Sequence, residues 1–431
     1  MATAPPFTDH REPIGQAWHM SGAVIAIGVF CASYVSWRPA DILFTASDAF
    51  FVLGAGMLLA AHRISLQPFG RMTGWWLVAT LIMMIGLFIG SLFNGDPDRW
   101  LTAGAQYCFS LILLPCLLIN HDDQRTIMLA KALVAGIAAM EAFGIAVYWG
   151  LDLSYEGYNR ISHDFITGAG RLGAFLGDAN WNAAMIVMAW PFTLYLRIRR
   201  KIGAPLFYLT CVILLIGLFL AASVTGMTSA LVSLALFTIV SGKLPSVRVL
   251  LTGAAVGTLL FASGFQLPRA FEKRIAPAVE QSDVSMAGTY SGRMKLIEEA
   301  WGMVDRTTLV GIGVDQYRKV SIDKAPVHNI FLLLWAEGGL FALAGWLLLN
   351  GIMIVGAIVA YRRDRLAAAL AIAVLSTFII FSNAAPHLYA RPWLVPVMLG
   401  IAPAFAWIAG EPARRHKSWN ARGASIRRGR A

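Results

Sequence analysis

An all-α integral membrane protein is the fold class this sequence predicts, with about twelve transmembrane helices and a large helical outer loop between the ninth and tenth. Three observations carry that expectation. Only 14% of the residues are charged while 58% are hydrophobic, against about 25% charged in a soluble protein. Uncharged runs of 18 or more residues recur along the chain, and about 20 residues cross the hydrocarbon of a bilayer as a helix. The runs are continuous rather than alternating, which sets a transmembrane β-barrel aside.

The apolar runs lie near 17–37, 42–61, 74–93, 100–119, 127–149, 181–196, 204–221, 226–241, 249–265, 330–358, 366–385 and 393–410. The fifth and tenth carry the rare charges Lys131, Glu141 and Glu337, and the eighth follows Ser223-Val224-Thr225-Gly226, which reads as a tight turn. Residues 1–265 thus hold helices one to nine with a smaller outer loop at 150–180. A large loop spans 266–329, helices ten to twelve span 330–410, and a basic tail spans 411–431.

Orientation follows from the short loops, because Lys and Arg collect on the cytoplasmic side. The segments 62–71, 197–201, 243–248 and 362–365 and the tail are basic, whereas 94–99, 221–226 and 384–391 are poor in Lys and Arg. Twelve alternating spans put every basic group on one side, so both termini are expected in the cytoplasm and the 150–180 and 266–329 loops outside. Much of the formal charge of +11 sits in these short loops and in the tail, where it meets anionic lipid rather than nucleic acid. Cys31, Cys108, Cys116 and Cys211 fall inside apolar runs and read as small buried hydrophobes, with no disulfide or metal spacing. The polar start, residues 1–16, does not resemble a cleaved signal peptide.

Polar residues in the two outer loops carry the candidate chemistry. In the first, Asp178 or Asn180 is a suitable N-cap for the sixth helix. Arg171 lies among Gly168, Gly170 and Gly173, which open the backbone to a ligand; a snorkelling interfacial arginine is the ordinary alternative. In the second, Met294, Ile297, Trp301 and Val304 recur at helical spacing, with Arg293 on another face. Ser291 is the expected N-cap there. Arg293 then opposes the helix dipole in the first turn, a cost of a few tenths of a kcal/mol that an anion bound at the helix start would offset. A solvated surface arginine is the plainer alternative.

His328-Asn329 follows Pro326 and opens the tenth helix, with Asn329 as its N-cap. The helix dipole there favours the neutral imidazole that a general base needs. His163 and His387 also face outward and compete for that role. Asp283, Asp305, Asp315 and Asp323 are scattered and form no metal motif. Gly311-Ile312-Gly313 is too short for a nucleotide loop and reads as a turn, so no metal, nucleotide or other cofactor is expected.

Taken in order, Arg171-x-Gly173-x-Phe175, Asp178-x-Asn180, Ser291-Gly292-Arg293, Trp301, Gly311-x-Gly313, His328-Asn329 and Glu337-x-Gly339 resemble the O-antigen ligase and O-antigen polymerase superfamily, the lipid-linked glycan transferases of the bacterial envelope. The likeness covers about residues 160–345 and the helix layout. The arginine that members often carry after the serine near Ser223 is replaced here by Val224 and Thr225. The resemblance implies a multi-pass enzyme of the bacterial inner (cytoplasmic) membrane with its active site, and the large loop, periplasmic. Such an enzyme moves a glycan from undecaprenyl diphosphate to a hydroxyl on lipid A-core or another glycan acceptor, without metal. It implies that Arg171 and Arg293 hold the diphosphate and that His328 activates the acceptor hydroxyl. Asn329, Asp178, Asn180 and Arg318 are the accompanying candidates for substrate binding. A polymerase of the same superfamily shares this pattern. A secondary transporter also suits twelve helices, although no internal repeat is visible and the spans are almost free of ionisable residues.

Overall fold

A computed structural model describes residues 12–34, 44–119, 122–243, 272, 290–387 and 389–406. The fold among them is all-helical, without strands; one isolated bridge joins Ile166 to Leu172. In chain order the helices are α1 (Glu12–Phe30), α2 (Ala46–Ala60), α3 (Thr73–Asn94), α4 (Pro97–Leu118) and α5 (Asp123–Gly150). After the short α6 (Tyr155–Asn159) come α7 (Ala179–Ile198), α8 (Ala204–Ala221) and α9 (Val224–Ser241). The chain continues with α10 (Tyr290–Arg306), α11 (Tyr317–Val320), α12 (Ile330–Tyr361), α13 (Arg365–Ser382) and α14 (Arg391–Ala406).

Eleven of the apolar runs coincide with helices, and the twelfth, 249–265, lies outside the described residues, as do residues 273–289 of the large loop and the basic tail. Among the described residues, seven helices are long and apolar enough to cross a membrane: α3, α4, α5, α8, α9, α12 and α13. Three apolar stretches are shorter, at Met20–Ser33, Ala46–Ala60 and Arg391–Ala406.

Helix α7 forms the centre. Ala183, Ala184, Met185, Ile186, Val187 and Met188 are all fully buried, and α7 packs on α5, α8, α9 and α13. A helix apolar all round belongs in such a place. The most extensive pairing is α3 with α12, and small residues permit it. A Cβ on Gly86 would stand 2.5 Å from the Ala342 backbone nitrogen, and one on Gly345 would stand 2.5 Å from that of Met83. The two backbones therefore touch, as small residues allow in membrane helix pairs.

The loops sort to two ends of the bundle. At one end Asn94 Nδ2 donates to the Gly311 carbonyl at 3.1 Å, Arg99 pairs with Asp315 at 2.5 Å, and Asn329 Nδ2 donates to Asn383 Oδ1 at 3.1 Å. The opposite end holds Arg199 paired with Asp364 at 3.3 Å and Arg365 Nε donating to the Val240 carbonyl at 3.1 Å. Among the described residues, the arginine-rich segments near 199 and 365 thus share one end, and the loops at 94–99, 308–329 and 383–390 share the other.

Candidate functional site

Three helix ends meet at Arg171. Helix α8 stops where Ala222 turns left-handed (φ 45), leaving carbonyls at the negative end of its dipole. Arg171 Nε donates to the Ala221 carbonyl at 2.9 Å, and the next backbone amide, Leu172 N, donates to Leu220 O at 3.0 Å. The same guanidinium reaches the start of α7, where Nη2 donates to Asn180 Oδ1 at 2.9 Å. That oxygen also accepts from Ser223 Oγ at 3.0 Å. Ser223 in turn caps α9, accepting from Gly226 N at 3.1 Å. Arg171 is only 8% exposed, so it belongs to the packed structure rather than snorkelling at an interface.

Asp178, not Asn180, is the cap of α7. Its extended backbone lets one carboxylate oxygen accept from Asn180 N at 2.7 Å and from Trp181 N at 2.9 Å. This leaves the Asn180 side chain for Arg171 and Ser223. The turn at Ser223 is thus already engaged by Asn180.

His328 precedes the cap of α12 and packs beside buried Val327. Its Nδ1 is buried and has no hydrogen-bond partner among the described residues. Burial, and then the Arg293 guanidinium, hold the imidazole below its ordinary pKa; the Ala384 carbonyl and the Asp178 carboxylate act the other way. The ring is therefore kept neutral, as the sequence leads one to expect, but desolvation and a nearby cation do it.

Arg293 lies on the inward side of α10. Leu296, Ala300 and Val304 are buried there, at 6%, 0% and 2% exposure, whereas Trp301 is 47% exposed. The apolar stripe is thus rotated from the one read in the sequence. Arg293 shares it at the i, i+3 spacing of one helix face. Since α10 begins at Tyr290, the expected cap Ser291 falls inside the helix.

Asn329 caps α12 as expected, accepting from Leu332 N at 3.1 Å, and its amide nitrogen ties the α13–α14 connection through Asn383. Arg318, on α11, faces a second group: its charge acts on Glu337 and Tyr389. Asp315 belongs there too, bound by Arg99 Nε at 2.6 Å and by the Tyr389 hydroxyl at 3.4 Å. The other histidine candidates separate cleanly. His163 has a side chain 87% exposed, and His387 is a core residue stacked on Trp393 at 4.2 Å and bonded to Ser382 Oγ at 3.2 Å. Of the candidate residues, Asp178, Arg293 and His328 form one electrostatic group, and Arg171 and Asn180 join it through the start of α7.

Sequence reasoning missed Asn383, which binds the Asn329 cap, Ala384, whose carbonyl faces His328 from the connection between α13 and α14, and Arg99, which answers Asp315 across 216 positions. A lone arginine in an otherwise Lys- and Arg-poor loop was the available signal for the latter.

Fold and site together define a multi-helix membrane protein that gathers an imidazole, guanidinium groups and a carboxylate among the loops at one end of its bundle. Residues 209–347 match the family model described as O-antigen ligase. That is the superfamily the sequence motifs resemble, and the match includes Arg293, Arg318, His328, Asn329 and Glu337. No curated protein matches the chain.

Proposed function

We propose that the protein is a membrane glycosyltransferase of the O-antigen ligase type. It moves a glycan from undecaprenyl diphosphate to a hydroxyl of lipid A-core or a similar acceptor on the periplasmic face of the inner membrane. The observation that carries this reading is a half-buried, neutral His328, its Nδ1 shielded from solvent, placed within the field of Arg293 and of Asp178. Neutral imidazole accepts the proton of the acceptor hydroxyl as that oxygen bonds to the anomeric carbon of the donor sugar. The bond from that carbon to the diphosphate oxygen breaks, and the diphosphate leaves with the electron pair. Charge developing on it is met by the guanidinium groups of Arg293 and Arg171, fixed donors in a site of low polarity. Forked guanidinium groups suit phosphate oxygens better than the point charge of a lysine. Arg171 is tethered to the Ala221 carbonyl and to Asn180 before substrate arrives, so little reorganisation of that group is needed at the moment of transfer.

The test uses purified protein in detergent with a lipid-diphosphate glycan and a hydroxyl acceptor. Transfer by the wild type, lost in His328→Ala with donor binding retained, is the expected result. Absence of any turnover by the wild type across lipid-diphosphate donors would overturn the reading. Glycolipids of a deletion strain then separate ligase from polymerase: uncapped lipid A-core with intact polymer marks a ligase, and single repeats mark a polymerase.

A further inference from the structure

Arg293 and His328 act on each other from separate elements, and the described structure links those elements through a small number of polar contacts. Helix α10 carries Arg293, and one turn on, its Leu296 carbonyl accepts from the hydroxyl of Tyr317 at 2.9 Å. Tyr317 is fully buried, and its backbone nitrogen donates to Glu337 Oε1 at 3.2 Å. Glu337 is itself 2% exposed and sits in the first half of α12, the helix that His328 and Asn329 open. Its other carboxyl oxygen has no hydrogen-bond partner among the described residues.

The backbone around Glu337 is shaped to receive this contact. Gly339 departs from helical geometry (φ 67) inside α12, which frees carbonyls on the preceding turn. Ile312 N donates to Ala336 O at 2.9 Å and Gly313 N to Glu337 O at 2.8 Å. The segment leading to Tyr317 is therefore laid against the broken turn, and a Cβ on Gly311 would stand 2.2 Å from the Glu337 carbonyl carbon. A second clamp lies on the same side of α10. Glu299 accepts from Ser321 Oγ and from Ile322 N, each at 2.9 Å, just upstream of His328. Leu296 and Glu299 are three residues apart, as are Arg293 and Leu296, so guanidinium and clamps succeed one another along α10 at neighbouring i, i+3 positions.

We propose that Tyr317 and Glu337 are positioning residues: the chain from the Leu296 carbonyl through Tyr317 to the Glu337 carboxyl fixes where Arg293 stands relative to His328. Neither touches the reacting atoms. The inference deepens the transferase reading, because it concerns that site, but its readout does not require turnover. His328 itself reports the spacing. The charged groups that act on it are Arg293 from α10 and Asp178 from the start of α7, and the Ala384 carbonyl faces it from the α13–α14 connection. If Arg293 moves away, its depressing effect fades and the imidazole titrates at higher pH.

The experiment is an NMR titration of the full-length, isotope-labelled protein in detergent, with the His328 resonance assigned by its loss in His328→Ala. Tyr317→Phe removes one hydroxyl and leaves the ring in its buried place. Glu337→Gln keeps a carbonyl oxygen for Tyr317 N, and Glu337→Ala removes the acceptor. Expected is an upward movement of the His328 midpoint in Tyr317→Phe and Glu337→Ala, with Glu337→Gln staying at the wild-type value. Wild-type midpoints in both Tyr317→Phe and Glu337→Ala overturn the proposal. So does a Glu337→Gln midpoint that moves as far as that of Glu337→Ala, since the carbonyl acceptor alone would then not suffice. Should Glu337→Ala fail to insert, Tyr317→Phe alone decides. Failure of the transferase reading shows separately, as a wild type without turnover whose His328 still responds to Tyr317→Phe.

Discussion

Arg171 shows how a single residue changes meaning once its partners are known. A guanidinium that binds the end of α8, the start of α7 and, through Asn180, the cap of α9 sets the positions of three helices. Arg171→Lys keeps the charge but cannot reproduce the fork. Hydrogen bonds to charged groups contribute about 1.5–3 kcal/mol each. We expect the variant to melt at lower temperature in detergent and to lose most transfer activity, so thermal scans and transfer assays should fall together. Arg293→Lys is expected to leave the melting temperature closer to wild type while lowering transfer roughly 10²–10³-fold, the usual effect of losing one charge-stabilising donor.

His328 gives a pH prediction with a definite sign. Its imidazole titrates below the ordinary value of 6.5, and a base must be neutral. Transfer should therefore be full at neutral pH and decline only as pH falls through a midpoint below that value. His328→Ala should cost roughly 10²–10⁴-fold in rate. A pH–rate profile whose acid limb lies above 6.5 contradicts the assignment. His387 is pushed further, down to about 3, by burial. An unfolded histidine binds a proton that this one refuses, so its contribution to stability is complete above the ordinary imidazole pKa and is lost as pH falls toward 3. Acid melts of wild type compared with His387→Phe measure that difference.

Among the elements, α12 is long for a reason its hydropathy conceals. It runs from Ile330 to Tyr361 but breaks at Gly339, where φ is 67 and a Cβ would stand 2.1 Å from the Leu309 carbonyl oxygen. The break lets Leu340 N donate to Thr308 O at 3.1 Å and Trp335 Nε1 donate to the same carbonyl at 3.0 Å. The segment after α10 is thereby stitched into the membrane helix as if it were part of it. Gly339→Ala should cost about 1–3 kcal/mol for the left-handed backbone alone, with further loss from the clash. A variant that melts like wild type would show that the stitch does not bear on stability. Helix α10 makes the complementary point: it is amphipathic and packs on α12, with Leu296, Ala300 and Val304 buried while the exposed Trp301 meets Trp335 edge to face at 5.8 Å.

For the whole molecule, the two-ended sorting of loops has a direct test of sidedness. Lys324 and Arg362 are both exposed, and they lie at the loop end and the arginine-rich end respectively. In a cysteine-free background, an impermeant thiol reagent applied to spheroplasts should label Lys324→Cys and spare Arg362→Cys. The reverse pattern would invert the topology and place the site on the cytoplasmic side.

The helices were legible in the sequence because they answer to a local rule. A run of about 20 apolar residues satisfies its own backbone and suits lipid, so eleven helix positions could be read without knowing what they pack against. The cap at Asn329 was nearly as clear, marked by its residue type and by the apolar run it opens, whereas Ser223, read as part of a tight turn, is the cap of α9. His328 could be singled out because it was the one histidine at a helix start beside the long polar loop. Partnership across distance was not legible in this way. Whether Asp178 or Asn180 caps α7 depends on Arg171 and Ser223 claiming the Asn180 oxygen. Which side of α10 faces inward depends on Tyr317 and α12, because apolar residues at 294, 297, 301 and 304 and at 296, 300 and 304 fit helical periodicity equally well. The break at Gly339 is invisible in an apolar run, since hydropathy does not register backbone angles, and only the arrival of residues 308–313 gives the freed carbonyls partners and makes a bent helix the stable one.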